Sequence, residues 1–416
     1  MKICIASQTF APEDEGGAEI SARMAAIELS RRQHDVTVLA LGLEGDPVAP
    51  VGTYRHPEGF TVVRIPYHNW HLPAARQSAA GVLKKLEWHA RAAWGAASRA
   101  DITRVLEAGR FDVLYAQNSV RMQPALFTAA RRLKMPIVWH LRDYAVLCPK
   151  TNMFRDGKNC ESECIDCRLL TSRVGVGAGE GITAVAVSNA VRERILKHGL
   201  LTKSQWHVLY NTNTSEQKFD AALMGREAPS SDVFTFGYLG GLTEAKGVGD
   251  LVRAFAALKG ADGARLLVAG RGRDDYVAHL KELAAGKPVE FLGHVPPERI
   301  YALADVVVVP SRWIEPQGRI IVEAAVYGVP LIGTDRGGIP EVLKGYGMGW
   351  CYDPDVTDAL SGLLDRALSI GQQAWWAQRD ALFPGIRGYQ GTAESSRYYE
   401  KIEAILSGSS SHLASA

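Results

Sequence analysis

The sequence has no apolar run approaching the roughly 20 residues that a bilayer-spanning helix needs. Its opening, MKICIAS, shows no basic segment ahead of a long apolar stretch and a cleavage site. A cytoplasmic protein is the expectation, with peripheral contact on the inner face of the membrane left open. Cysteine is scarce, and six in 416 residues do not form a disulfide framework of the kind that staples small secreted domains. Net charge is nearly absent at +2, which gives no support to a nucleic-acid partner. The segment after the first apolar run, FAPEDEGGAEI, is not the G-x-G-x-x-G of a dinucleotide site and counts against a dehydrogenase. What is present, 47% hydrophobic and 22% charged residues, describes a soluble globular protein with ample core. At this length two domains of ordinary size are expected.

Short valine- and isoleucine-rich runs alternate with helical segments, the pattern of a doubly wound α/β sheet whose strands are buried on both faces. Expected strands are Lys2–Ser7, Asp35–Leu41, Phe60–Pro66, Asp112–Gln117, Pro136–Leu141, Ile182–Val187 and Trp206–Asn211. Helices are expected over Ala18–Arg32 and, capped at Ser188-Asn189, over Ala190–Lys197. The polar stretch Thr212–Asp232 is the expected linker. The pattern restarts with Phe234–Leu239, Leu266–Gly270 and the run ending Phe291-Leu-Gly293-His294-Val295. After Glu341 the chain is expected to be helical over about Asp355–Leu382 and again over Tyr389–Leu406, with a disordered Ser-rich tail from Ser407. Between about residues 70 and 110 one or two helices carry Trp70, Trp88 and Trp94 among Lys84, Lys85, Arg91 and Arg99. That face suits an anionic membrane surface or plain solvent.

Chemistry concentrates in VVVVPSRWIEPQGRIIVEAAVYGVPLIGTDRGGIPE, residues 306–341. A buried strand ends at Pro310, and Pro316 with Gly318 suits a helix start. Arg319–Tyr327 has helical composition, and Gly328 with Pro330 is a stop signal. Glu315 then precedes a helix and Glu323 lies inside it. At 1.5 Å rise per residue the two carboxylates stand about 9 Å apart along the axis, too far to share one small group and suited to an elongated ligand. Amides at the helix start around Gln317, Gly318 and Arg319 are positively polarised and offer a place for phosphate. A sugar joined through a diphosphate to a nucleoside has hydroxyls at both ends and phosphates between. Gly337-Gly338 supplies a second glycine turn and helix start beside the first.

Glu315-Pro316-x-Gly318, Glu323-Ala324 and Gly337-Gly338-x-Pro340-Glu341 resemble the nucleotide-sugar site of the retaining glycosyltransferases of family 4 (glycosyl transferases group 1). The resemblance implies the GT-B fold, in which two Rossmann-like domains face each other across a cleft and a C-terminal helix crosses back to the first. Residues 1–212 would be the acceptor-side domain, with a cysteine-bearing insertion over 148–168. Residues 233–388 would bind the nucleotide-sugar, and 389–406 would form the crossing helix. It also implies that Glu315 contacts the transferred sugar and Glu323 the ribose hydroxyls. Gly16-Gly17 corresponds to the family's Gly-Gly loop and approaches the diphosphate. His140 and Asp143, at the carboxyl end of a strand with Arg142, face the anomeric carbon and the acceptor; this chain spaces them His140-Leu-Arg-Asp143 where the family pairs them tightly. By the resemblance Lys246 would clasp the diphosphate, but Gly241 stands where the family places its partner arginine, leaving Arg271 as the alternative cation. Backbone at His294 and Val295 touches the base.

Cys148, Cys160, Cys164 and Cys167 crowd a polar loop, which fits either a tetrahedral structural zinc or reduced thiols. By resemblance the chemistry needs no cofactor beyond a UDP-, GDP- or dTDP-sugar donor. The expected activity is hexosyl transfer, with retention, to a hydroxyl acceptor, with a lipid-linked one left open, in bacterial polysaccharide or glycolipid assembly. Alternatives are a nucleotide-sugar epimerase or hydrolase of the same fold, and a catalytically silent binding subunit.

Overall fold

The computed structural model describes residues 1–10, 17–68, 87, 98–123, 125–171, 176–212, 233–260, 263–385 and 391–409. Gly16, Trp70, Lys84, Lys85, Trp88, Arg91 and Trp94 lie outside the described residues, as does the linker beyond Thr212. The chain forms two compact units: one of residues 1–153, 161–209 and 396–416, the other of 154–160 and 210–395.

In the first unit the strands are β1 (Lys2–Ala6), β2 (Asp35–Gly42), β3 (Gly52–Arg55), β4 (Thr61–Pro66), β5 (Val113–Ala116) and β6 (Ile137–Leu141). The short β7 (Phe154–Arg155) and β8 (Lys158–Asn159) pair with each other and belong to the second unit, and β9 (Ile182–Ala186) and β10 (Gln205–Val208) return to the first. The large sheet runs β10-β9-β6-β5-β1-β2-β4-β3. Its pairings are parallel except at β3, which runs antiparallel to β4. Ile3, Ile5, Val36, Val38, Val113 and Tyr115 pack under Met24 and Ile27 of α1 (Gly17–Arg31). Ser188 caps α2 (Asn189–Lys197) by accepting from the Val191 amide at 3.2 Å. α3 (Gly391–Leu406) adds Tyr398, Tyr399, Ile402 and Ile405 to the same core. Glu403 of α3 accepts from Arg32 Nη1 at 2.9 Å and lies 2.7 Å from His34 Nε2.

The second unit's main strands are β11 (Phe234–Leu239), β12 (Ala264–Ala269), β13 (Val289–Gly293), β14 (Val306–Val309), β15 (Leu331–Thr334) and β16 (Gly349–Tyr352). All are parallel, in the order β13-β12-β11-β14-β15-β16. That is the doubly wound order, which reverses between β11 and β14. Val306 to Val308 are fully buried, as a central parallel strand requires. The helical stretch expected over Asp355–Leu382 is two helices, Ala359–Ile370 and Gln372–Leu382, broken at Gly371 with φ 75°. Among the described residues no helix is long and apolar enough to cross a membrane.

Candidate functional site

Ligands of doubly wound sheets bind outside the carboxyl ends of the strands where the order reverses. In the second unit those ends are the segments after β11 and β14. After β11 comes a 3-10 turn, Glu244–Lys246; after β14 the chain runs through Ser311 to Glu315. Two glycines bring these segments close. Gly247 has φ 69°, and a Cβ there would lie 1.7 Å from the Pro310 carbonyl oxygen. Gly337 has φ 63°, and its Cβ would lie 2.0 Å from the Glu315 carbonyl oxygen. That oxygen accepts from the Gly338 amide at 2.8 Å. The paired glycines after β15 therefore hold the Glu315 backbone.

The Glu315 side chain is buried, and three donors converge on its Oε2: Lys246 Nζ at 2.7 Å, Trp313 Nε1 at 2.8 Å and Ser311 Oγ at 3.1 Å. Lys246 Nζ also lies 5.0 Å from the centre of the Trp313 ring, in cation–π range. The lysine side chain remains 34% exposed, within reach of a ligand. Beside it begins α4 (Arg319–Val326), behind Gly318 with φ 81° and with no side-chain cap. A Cβ on Gly318 would lie 3.6 Å from Glu315 Cγ, so the uncapped amides stand next to the carboxylate, where an anion can be held. Farther along α4, Glu323 Oε2 accepts from Tyr301 Oη at 3.0 Å and Oε1 lies 3.5 Å from Arg319 Nε. Burial, then Glu323, pushes the Tyr301 phenol well above its usual range, so it stays a donor.

Other expected contacts are placed differently. Gln317 is 1% exposed and its carboxamide is used on Asn211, accepting from its amide at 2.6 Å and donating to its carbonyl at 3.3 Å. Val295 is in the core, leaving only its backbone available, whereas His294 and Arg271 are exposed. Gly241 is exposed, and its carbonyl accepts from Tyr238 Oη at 2.8 Å. A Cβ there would meet only Thr243 Cγ2, at 4.0 Å.

In the first unit Gln117, Asn118, Trp139, His140, Arg142 and Asp143 line a cavity beyond the ends of β5 and β6. His140 is 1% exposed. Its Nδ1 lies 2.8 Å from Tyr115 Oη and 3.3 Å from Arg142 Nη2. Guanidinium can only donate, so Nδ1 accepts and the ring proton sits on Nε2. Burial, then Arg142, pushes the imidazole well below its usual range and keeps it neutral. Nε2 is buried without a hydrogen-bond partner among the described residues; it is a neutral donor, unable to take a proton at that atom. Asp143 is the group of the two whose protonation changes nearer neutrality: burial, partly offset by the Ala145 amide at 2.8 Å, pushes its carboxyl from 3.8 to about 6. Gly17 opens α1, and Glu19 in its first turn accepts from Asn118 Nδ2 at 2.6 Å and Thr9 Oγ1 at 2.9 Å.

The four cysteines do not assemble as a tetrahedral set. Cys164 and Cys167 Sγ atoms lie 3.4 Å apart, and burial, with the Cys164 and Cys148 thiols beside it, raises the Cys167 thiol strongly. Among the described residues no group of three or more His, Cys, Asp or Glu could hold a metal ion.

Comparison with known proteins follows the division into two units. Residues 16–212 match the family model described as "Glycosyl transferase 4-like domain", and residues 222–378 match "Glycosyl transferases group 1". An uncharacterized glycosyltransferase of Methanocaldococcus jannaschii is 26% identical over 89% of both chains. An uncharacterized protein of the Klebsiella pneumoniae cps region is 23% identical over 83% of this chain and 88% of its own. A GDP-mannose-dependent alpha-(1-6)-phosphatidylinositol monomannoside mannosyltransferase of Mycobacterium tuberculosis is 33% identical over 31% of this chain and 39% of its own. Among solved structures, Anabaena HepE with UDP and glucose superposes with TM-score 0.65 at 20% identity, covering 97% of this chain and 100% of that one. WaaG, a glycosyltransferase involved in lipopolysaccharide biosynthesis, gives 0.64 at 16%, covering 98% and 100%.

Two predictions follow from the geometry. Because the folded state holds the Asp143 proton more tightly than the unfolded chain, stability falls as pH rises from about 4 to about 6. Asp143→Asn should remove that part of the dependence; melting curves of the two proteins that stay parallel across this range would contradict the assignment. Because position 241 is open and its φ is not left-handed, Gly241→Arg should fold normally and tighten nucleoside diphosphate binding several-fold, measured by calorimetry.

Proposed function

We propose, for a chain that belongs to the glycosyltransferase family defined by these two domains and has the GT-B fold, a retaining hexosyltransferase that moves a sugar from a nucleotide-diphosphate sugar to a hydroxyl acceptor. The observation that carries the reading is the buried Glu315 carboxylate, held by Lys246, Trp313 and Ser311 beside the uncapped start of α4. In this reading Glu315 holds hydroxyls of the transferred sugar and Glu323, oriented by Tyr301, holds the ribose. Lys246 and the first amides of α4 carry the growing charge on the departing diphosphate. His140 Nε2–H donates to an oxygen of a ligand held in the first unit's own cavity. The bond from the anomeric carbon to the diphosphate oxygen breaks, a bond to the acceptor oxygen forms on the same face, and the acceptor's proton passes to the departing phosphate oxygen.

HepE is solved with UDP-glucose and a mycobacterial relative is GDP-mannose-dependent, so both bases are candidates. A polysaccharide or glycolipid acceptor is supported by WaaG, involved in lipopolysaccharide biosynthesis, and by the phosphatidylinositol monomannoside mannosyltransferase relative. Incubating the protein with UDP-, GDP- and dTDP-sugars and a lipid extract tests the reading. Glycosylated acceptor supports it; free or epimerised sugar alone points to a hydrolase or epimerase, and binding without turnover to a silent subunit.

The division of labour makes its own prediction. Losing a charge-assisted bond to a bound hydroxyl costs about 1.5–3 kcal/mol, so Glu323→Gln should weaken nucleoside diphosphate and nucleotide-sugar alike by about tenfold or more. Glu315→Gln should spare the diphosphate and weaken only the sugar-bearing donor. Equal losses of both ligands in both variants would overturn these roles.

A further inference from the structure

The polar insertion that contains the cysteines also contains a hairpin, and the hairpin packs within the second unit. Its turn is Asp156-Gly157, with φ 50° and 74°, the left-handed pair that tight hairpins favour. This presets the two strands, with Phe154 opposite Asn159 and Arg155 opposite Lys158. At the last position of β8, Asn159 Nδ2 donates to the Arg312 carbonyl at 2.9 Å, and its Oδ1 accepts from the Ile314 amide at 2.9 Å. One carboxamide thus satisfies both sides of the loop as a neighbouring strand would. The loop's opposite side is held by the Ala245 carbonyl, which accepts from the Arg312 and Trp313 amides at 2.9 and 3.2 Å. Arg312 is further fixed by Asp250, to which Nε and Nη2 donate at 2.5 and 3.0 Å. A Cβ on Gly157 would lie 3.1 Å from Glu244 Oε1, so the hairpin tip also abuts the turn that carries Lys246.

We propose that Asn159 is a positioning residue for the donor site: by clamping the backbone on either side of Trp313 it sets the direction from which the indole N–H, and through it the Glu315 carboxylate, meets the sugar. Trp313 donates to Glu315 Oε2 and lies under the Lys246 ammonium. Release of the clamp therefore changes the pocket's sugar end while Tyr301, Arg319 and Glu323 keep their own contacts. The insertion acquires a purpose that its polar composition does not announce, as an external brace on the loop between β14 and α4. The ligand part of this inference rests on the donor-site reading above; the mechanical part does not.

The test uses the full chain and its Asn159→Ala and Asn159→Asp variants, with UDP and UDP-glucose, and GDP and GDP-mannose, as probes. Hydrogen exchange read by NMR should show the Ile314 amide losing protection about tenfold or more in Asn159→Ala and keeping it in Asn159→Asp, which retains the accepting oxygen. Calorimetry should show Asn159→Ala weakening the nucleotide-sugar about tenfold, equivalent to about 1.4 kcal/mol, with the nucleoside diphosphate unchanged within about twofold. Asn159→Asp should fall between. In a Glu315→Gln background Asn159→Ala should have no additional effect, because its route runs through that carboxylate. Unchanged Ile314 protection, equal loss of both ligands, or full additivity with Glu315→Gln would each overturn the proposal. If the wild type binds none of the four probes, the donor-site reading fails on its own, and Ile314 exchange still decides whether the clamp exists.

Discussion

The arrangement depends on one buried carboxylate and the donors it needs. A carboxylate as enclosed as Glu315 is costly unless it is paired and hydrogen-bonded, and Lys246, Trp313 and Ser311 meet that need from two different strand ends. The meeting is possible only because Gly247 and Gly337 let backbone approach where a Cβ would overlap a carbonyl oxygen. Both glycines have left-handed φ, so steric room and backbone conformation make the same demand. These two glycines are structural, letting the segments after β11, β14 and β15 close up on one another. The same contacts aim the uncapped start of α4 at the space beside the carboxylate.

Much of this was legible in the order of residues. Alternating valine-rich runs and helical segments identified two doubly wound sheets, and the strand ends carrying Glu315, Lys246 and His140 were located because such sheets put their ligands there. The spacing of Glu315 and Glu323 around Gly318 carried the family resemblance, which the two domain matches support. What was not legible is what distant segments do to one another. Lys246 and Glu315 are 69 positions apart, Tyr301 reaches Glu323 across 22 and Asn159 meets Ile314 across 155; no local periodicity encodes such pairs. Gln317 looked like part of a phosphate-binding helix start because Gly318 and Arg319 follow it, yet its side chain turns to Asn211. The cysteine spacing could be read as a ligand set, but spacing does not aim thiols, and among the described residues no group of three or more His, Cys, Asp or Glu could hold a metal ion.

The first unit shows how one arginine can define a histidine. Arg142 donates to Gln117, to Tyr398 of α3 and toward His140 Nδ1. Its permanent charge lowers the imidazole further after burial has already done so, and its inability to accept assigns the ring proton to Nε2. Histidine next to aspartate invites an acid–base reading; the geometry separates the two. His140 supplies a neutral N–H, and Asp143, with its carboxyl pushed up to about 6, is the group whose protonation changes near neutrality. The C-terminal helix takes part because Tyr398 fixes the guanidinium.

The glycine at position 241 bears on where charge is managed in the second unit. A pair of side-chain cations could grip a diphosphate by itself, but here the nearby lysine is shared with Glu315. An ammonium has three donors, so in the proposed reading Lys246 would keep its bond to Glu315 and still reach a phosphate oxygen, coupling the carboxylate proposed to hold the sugar to the leaving group through one atom. In that reading the remaining field would come from the backbone dipoles at the start of α4, which are fixed before any ligand arrives and need no reorganisation as charge develops. Preorganised amides serve this purpose only if the loop before them is rigid. That loop is Ser311 to Gly318, held by Ala245 on one side, Asn159 on the other and the Gly338 amide on the Glu315 carbonyl. The bracing therefore matters more in this chain than it would in one with a second cation, since a loose loop would weaken both the carboxylate's grip and the dipoles behind it.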